Sequence, residues 1–169
     1  MAAGKSTVAR ALGTLLRWNS FDLDFEIERR EKLSVREIFE RHGEAHFRQL
    51  ETDALRVILS QAAEPTVIAL GGGTYIQPEN VQLLRRHEAQ IVFLEVEIEL
   101  LLERCRAASA RTVENPRPLA RDPEAFRALY AQRLPLYRQA HLTLNTASNS
   151  IEQTARQIAA ALQLRTAAR

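Results

Sequence analysis

The sequence predicts an α/β fold: a parallel sheet covered by helices on both faces. Two observations carry this reading. Short apolar or β-branched runs alternate with longer helical stretches along the chain, as parallel strands joined by helical crossovers require. The runs TVIAL (66–70) and IVFLEV (91–96) are apolar apart from Glu95, as strands buried on both faces are. A chain of 169 residues is sized for one domain with a real core. No internal repeat and no interdomain linker interrupts it, and only the final RTAAR reads as a frayed tail.

Taken in order, STVARALGTLLRW places Val8, Leu12, Leu15 and Leu16 on one helical face. SFDLD (20–24) follows as a short strand ending in acids. Ser34 and Glu37 form a capping box that starts a long amphipathic helix through Phe39, Phe47, Leu50, Leu55 and Leu59. Gly43 marks a kink in it or a break between two helices. TVIAL is a buried strand that runs into Gly71, Gly72 and Gly73. Residues 78–87 form a helix with Pro78 in its first turn. IVFLEV is the next strand, and a helix over about 97–106 follows it. ASARTVENPRPLARD breaks the pattern with prolines and arginines. Asp122-Pro123-Glu124 then starts a helix towards Tyr137, LTLNT (142–146) is the last strand, and Ser150 to Gln153 cap a helix carrying Ile151, Ile158 and Leu162.

Composition narrows the function. With 46% hydrophobic and 26% charged residues the chain has the balance of a soluble globular protein. A formal charge of +2 is too small to argue for nucleic acid as a partner. Arginine far outnumbers lysine, a lean towards an anionic small ligand, because the guanidinium grips carboxylates and phosphates with paired donors. The single Cys105 excludes an internal disulfide, suits a reducing cytoplasm and falls in a helical pattern as a buried or half-buried structural thiol. No apolar run of about 18 residues indicates a membrane span, and the N-terminus lacks the charge-then-apolar order of a secretory signal.

Several constellations carry chemistry. Gly4-Lys5-Ser6-Thr7 matches the end of the phosphate-binding loop G-x-x-x-x-G-K-[ST] and is followed at once by a well-formed helix. Backbone N–H groups at a helix start attract phosphate, lysine adds charge, and the serine hydroxyl suits Mg²⁺. Read alone, the same letters also describe an ordinary helix start. Asp22 and Asp24 would point to the same side of a strand, into the crevice at its C-terminal end; a solvated strand end, or a cap for FEIERR, accounts for them equally. Gly71-Gly72-Gly73 is costly in chain entropy and longer than a plain tight turn needs, which favours close approach of a ligand to the backbone. Arg48 and Arg133 read either as ligand groups or as exposed helix residues. Arg117 lies in the one long irregular segment, where lids are found. His42 and His46 have a ligand-like spacing but no third ligand and no glutamate of the zinc-protease kind, so a metal site there is not expected.

In order and spacing, GKST, DLDFEIERREKLSVREIFERHGEAHFRQLE, ALGGGT, RPL and QRLPLY resemble shikimate kinase, from Met1 to about Thr146. The GEAHFRQLE and GGG blocks are the most specific of these. The resemblance implies a three-layer α/β/α P-loop NTPase fold with strand order 2-3-1-4-5, whose first strand and first loop glycine are absent from this sequence. Met1 accordingly reads as an internal methionine of the family loop. It implies one kinase domain over residues 1–169, with substrate-binding helices at about 25–60 and a lid at about 107–122. The activity implied is transfer of the γ-phosphoryl of ATP to the 3-hydroxyl of shikimate, in the biosynthesis of chorismate and the aromatic amino acids, by a cytoplasmic monomer. The resemblance puts the nucleotide on Gly4, Lys5, Ser6 and Thr7, with Lys5 at the β/γ-phosphates. It gives Mg²⁺ to Ser6 and, through water, to Asp22. Asp24 would hold the shikimate hydroxyls and act as base for the attacking one. Arg48 and Arg133 would grip the carboxylate with help from Gly71, Gly72 and Gly73, and Arg117 would close over the phosphates. Arg104, Arg106 and Arg111 all stay open as the arginine against adenine. Two other readings compete: a kinase of the same fold acting on another small molecule such as gluconate, and a kinase-like binder that transfers nothing.

Overall fold

The computed structural model describes residues 3–111 and 122–164. In chain order its elements are α1 (Lys5–Leu16), β1 (Asn19–Asp22), α2 (Leu23–Glu31), α3 (Val35–Gln61), β2 (Thr66–Ala69), a 3₁₀ turn (Thr74–Ile76), α4 (Pro78–Arg86), β3 (Val92–Glu95), α5 (Ile98–Arg111), α6 (Pro123–Tyr137), β4 (Leu142–Asn145) and α7 (Ile151–Ala161). Strands and helices alternate as the sequence predicts. Both ladders are parallel, β1 with β2 and β3 with β4. The order 2-3-1-4-5 without its first strand contains these same two pairs.

The chain divides into two compact units. The first holds residues 5–89 and the C-terminal stretch from 151. Its α1 buries Val8, Ala9, Leu12 and Leu16 and packs against α7, whose buried face is Thr154, Ala155, Ile158 and Ala159. Small residues on both helices let the backbones approach closely. Ile151, expected on that face, is exposed instead, since it sits at the start of α7 before the buried stripe begins. In the β1–β2 ladder Asn19 faces Thr66 and Asp22 faces Ala69. Equal ends matter here: both strands release the chain at one edge, the edge where open α/β sheets bind ligands.

The long helix begins as its sequence requires. Ser34 Oγ accepts from the Glu37 backbone N–H while the Glu37 carboxylate accepts from the Ser34 N–H, so two orphan donors are satisfied reciprocally. Gly43 then breaks it with φ 81° and ψ 175°, a conformation open in practice to glycine alone.

The second unit holds β3, α5, α6 and β4. Its core is Val96, Leu101, Leu102, Cys105 and Phe126, with Tyr130 packed against them. Cys105 is a buried thiol, the fuller of the two degrees of burial its helical setting allows. Asp122 caps α6 by accepting from the Glu124 and Ala125 N–H groups. The helix after β3 continues to Arg111 rather than ending near residue 106. Leu101, Leu102 and Cys105 hold one face of it against the core, and nothing in the sequence as far as Arg111 breaks a helix.

Candidate active site

The site is built at the shared edge of β1 and β2. Asp22 is the last residue of β1 and also the N-cap of α2, where its Oδ1 accepts from the Phe25 N–H at 3.3 Å. The strand therefore stops two residues earlier than SFDLD suggests, and Asp24 stands in the first turn of a helix rather than on a strand face. The reason is local. A carboxylate satisfies the free N–H groups of a helix start, so Asp22 turns the chain at once.

Opposite it, the loop after β2 comes so close to its neighbours that side chains are excluded. A Cβ added at Gly71 would stand 2.7 Å from Glu51 Oε1, 2.9 Å from Thr74 Oγ1 and 3.0 Å from Asp24 Oδ1. Three polar side chains from α2, α3 and the 3₁₀ turn thus converge on one glycine. At Gly73 the added atom would lie 2.6 Å from both Cζ and Nη2 of Arg48. Where the glycine run suggested the approach of a ligand, it is the protein's own side chains that crowd the backbone at Gly71 and Gly73, with Gly72 between them.

Arg48 is held on two sides. Its Nη1 donates to Glu51 Oε2 at 2.5 Å, while Nε and Nη2 donate to Glu44 Oε1 at 3.1 and 2.8 Å. The carboxylates differ sharply: the Glu51 side chain is 1% exposed and that of Glu44 65%. Phe47 and Phe39 flank the guanidinium, with ring centroids 5.5 and 6.0 Å from Cζ. Burial works against the Arg48 charge, but the Glu51 and Glu44 carboxylates outweigh it and raise its pKa above the ordinary value.

Asp24 carries the strongest perturbation in this cluster. Burial comes first, then the neighbouring Asp22 and Glu51 charges, and together they push its pKa up to about 6; Lys5 pulls the other way. Lys5 opens α1, whose first turn holds no acidic residue. Gly4 just before it has φ +81°, and the Ser6 and Thr7 side chains are exposed at the same helix start. An anion placed there would meet backbone donors, the helix dipole and the Lys5 ammonium together. Ser6 and Asp22 suit Mg²⁺, which takes few protein oxygens and keeps water and phosphate as its other ligands. Among the described residues no group of three or more His, Cys, Asp or Glu forms a cage for a metal ion.

The other expected arginines belong to the second unit or lie outside the described residues. Arg133 lies on α6, in the second unit. Arg104 and Arg106 lie on α5 in that unit, half-buried and exposed respectively, and Arg111 is its last residue. Arg117 and the greater part of the expected lid lie outside the described residues.

The family model for shikimate kinase matches residues 1–163. The chain belongs to the shikimate kinase family. A shikimate kinase of Geobacter sulfurreducens is 38% identical over 162 residues, covering 94% of this chain and 84% of that protein. One from Caldanaerobacter subterraneus is 36% identical over 159 residues, covering 94% and 89%. Among solved structures, a shikimate kinase from Acinetobacter baumannii in complex with shikimate superposes with a TM-score of 0.82 at 35% identity, covering 98% of this chain and 91% of that one. Membership of the shikimate kinase family carries with it the three-layer P-loop NTPase fold that the resemblance implies.

Sequence reading missed Glu51, Thr74 and Glu44. For Glu51 a signal existed: it lies four residues after Phe47 and four before Leu55, on the apolar stripe of α3, where a charge needs a partner. For Thr74 there was none beyond its place after the glycines.

Proposed function

We propose that this chain transfers the γ-phosphoryl group of ATP to the 3-hydroxyl of shikimate, with Asp24 and Arg48 holding the acceptor. One observation supports the acceptor site above all: Asp24, Glu51 and Thr74 converge on Gly71 while Arg48 lies against Gly73. A hydroxylated ring with one carboxylate fits that arrangement, because an aspartate accepts from hydroxyls and a guanidinium forks onto a carboxylate. The outer edge of Arg48 is held by Glu44, whose own side chain is 65% exposed and free to swing into water, so an incoming carboxylate can displace it.

The chemistry asks for positioning and charge stabilisation rather than a covalent nucleophile. The 3-hydroxyl oxygen forms the new bond to the γ-phosphorus as the bond to the ADP oxygen breaks, and its proton passes to Asp24. A carboxylate with a pKa of about 6 is a stronger base than an ordinary aspartate and is still ionised at neutral pH. Lys5, with the N–H groups at the start of α1, holds the β/γ-phosphates. Mg²⁺, when bound with the nucleotide, neutralises phosphate charge; Ser6 would ligate it directly and Asp22 through water. Arg133 keeps the expectation raised by QRLPLY, and Arg117 the one raised by RPL. The same reading takes the chain as one kinase domain, monomeric and cytoplasmic. Among the described residues no helix is long and apolar enough to cross a membrane.

The test is the product. The chain, Mg-ATP and shikimate are incubated and followed by phosphorus NMR, with gluconate as a second acceptor. A phosphate ester on the 3-hydroxyl of shikimate and none on gluconate is the expected result. An ester on gluconate alone, or none on either, would overturn the reading.

A further inference from the structure

We propose that Thr74 is a positioning residue for the substrate: its buried hydroxyl fixes the Glu51 carboxylate, and Glu51 in turn sets the Arg48 guanidinium in place. The proposal rests on the reading of Arg48 as the carboxylate grip.

An arginine side chain is long and loses much rotamer freedom when it is fixed, so a guanidinium held in one orientation needs an anchor. Here the anchor is Glu51, fully buried on α3 one turn beyond Arg48. A buried carboxylate must have both oxygens paired, since an unpaired one carries a heavy desolvation cost. Oε2 takes Arg48 Nη1 at 2.5 Å, and Oε1 takes the Thr74 hydroxyl, also at 2.5 Å. Thr74 is therefore the donor that commits one Glu51 oxygen and leaves only the other for Arg48.

The donor is itself rigid. Thr74 is fully buried, and its backbone is tied at both ends. Its N–H donates to the Gly71 carbonyl at 3.3 Å, and its carbonyl accepts from the Gln77 N–H at 3.3 Å and from Asn80 Nδ2 at 3.1 Å. Asn80 is also fully buried, so the turn is braced from α4. The relay runs Asn80, Thr74, Glu51, Arg48, and its last member lies against Gly73.

Without the Thr74 hydroxyl, Glu51 Oε1 loses a short, buried hydrogen bond, and the carboxylate rotates to draw a second N–H from Arg48. The fork that faces Gly73 is then turned inward and lost to the substrate. A valine in place of Thr74 keeps the volume and removes the donor, while a serine keeps the donor.

The experiment is steady-state kinetics on Thr74→Val, Thr74→Ser and Arg48→Lys, with Thr74→Val also made in the Arg48→Lys background. Thr74→Val is expected to raise KM for shikimate about tenfold while kcat stays within about twofold, as for loss of binding common to ground and transition states. KM for ATP stays unchanged, and Thr74→Ser behaves as the parent. In the Arg48→Lys background, where the fork is already gone, Thr74→Val adds less than about twofold. An unchanged KM for shikimate in Thr74→Val overturns the proposal. So does a Thr74→Ser variant as impaired as valine, or a rise in both KM values together. Should Arg48→Lys leave KM for shikimate unaltered, the reading of Arg48 falls and this proposal with it; a rise there without one in Thr74→Val sinks the Thr74 relay alone. If Thr74→Val does not fold, Thr74→Cys keeps the volume with a weaker donor. A raised shikimate KM in that variant supports the relay, and an unchanged one overturns it.

Discussion

Asp24 titrates near 6 because it is buried beside Asp22 and Glu51, against 3.8 for an ordinary aspartate. The folded chain therefore holds this proton more tightly than the unfolded chain does. Stability from the protonated form is full below about 3.8, declines as pH rises from there to about 6, and stays lower above. Ionised Asp24 thus costs the fold on the order of 1–3 kcal/mol at neutral pH. Asp24→Asn is expected to gain about that much stability in urea unfolding at pH 7.5 and nothing near pH 4, while losing phosphoryl transfer. In the parent, kcat/KM for shikimate should fall as pH drops through about 6, the range in which the base is lost. Gly73→Ala probes the other half of the site. Its methyl group would occupy the space of the Arg48 guanidinium, so KM for shikimate should rise by roughly tenfold or more in steady-state kinetics, with KM for ATP unmoved. Only the glycines broke a local pattern in the sequence; Asp24 and Arg48 each had an ordinary reading beside the functional one, and the resemblance of GEAHFRQLE and DLDFEIERR to the family singled them out. Glu51 and Thr74 were not singled out, because their roles depend on α3 and the turn after β2 meeting across 23 residues of sequence.

The break at Gly43 does for α3 what no single side chain does. In a straight helix Phe39 and Phe47, eight residues apart, would be separated by about 12 Å along the axis. Their ring centroids lie 4.6 Å apart. The bend folds the first part of the helix back so that both rings flank Arg48. A Cβ at Gly43 meets nothing within 4 Å, so the cost of a substitution there is backbone strain alone. Gly43→Ala is expected to lose about 1–3 kcal/mol of stability in denaturant unfolding and to raise KM for shikimate, because relief of the strain straightens the helix and withdraws Phe39. A glycine inside a strong helical pattern announced an interruption, and the capping box announced where the helix starts. The direction and size of the bend could not be read, since they are set by packing against other elements. The same limit explains β1: the sequence alone does not choose between a strand that runs on to Asp24 and one that ends at Asp22, and the free N–H groups of α2 decide it.

For the whole molecule, alternation of apolar strands and amphipathic helices was enough to predict a parallel α/β fold, because the period of the hydrophobic pattern changes at every element boundary. Membership of the shikimate kinase family agrees with that pattern over residues 1–163. Both observed ladders, β1–β2 and β3–β4, follow from the family strand order. The catalytic reading rests on Asp24 as acceptor and base and on Lys5 at the phosphates, which belong to the same compact unit. The measurement that tests it most directly is ADP release from Mg-ATP, with and without shikimate, by the chain and by Asp24→Asn. The expected result is release that requires shikimate and disappears in the variant. Release indifferent to shikimate, or undiminished in Asp24→Asn, would contradict the account.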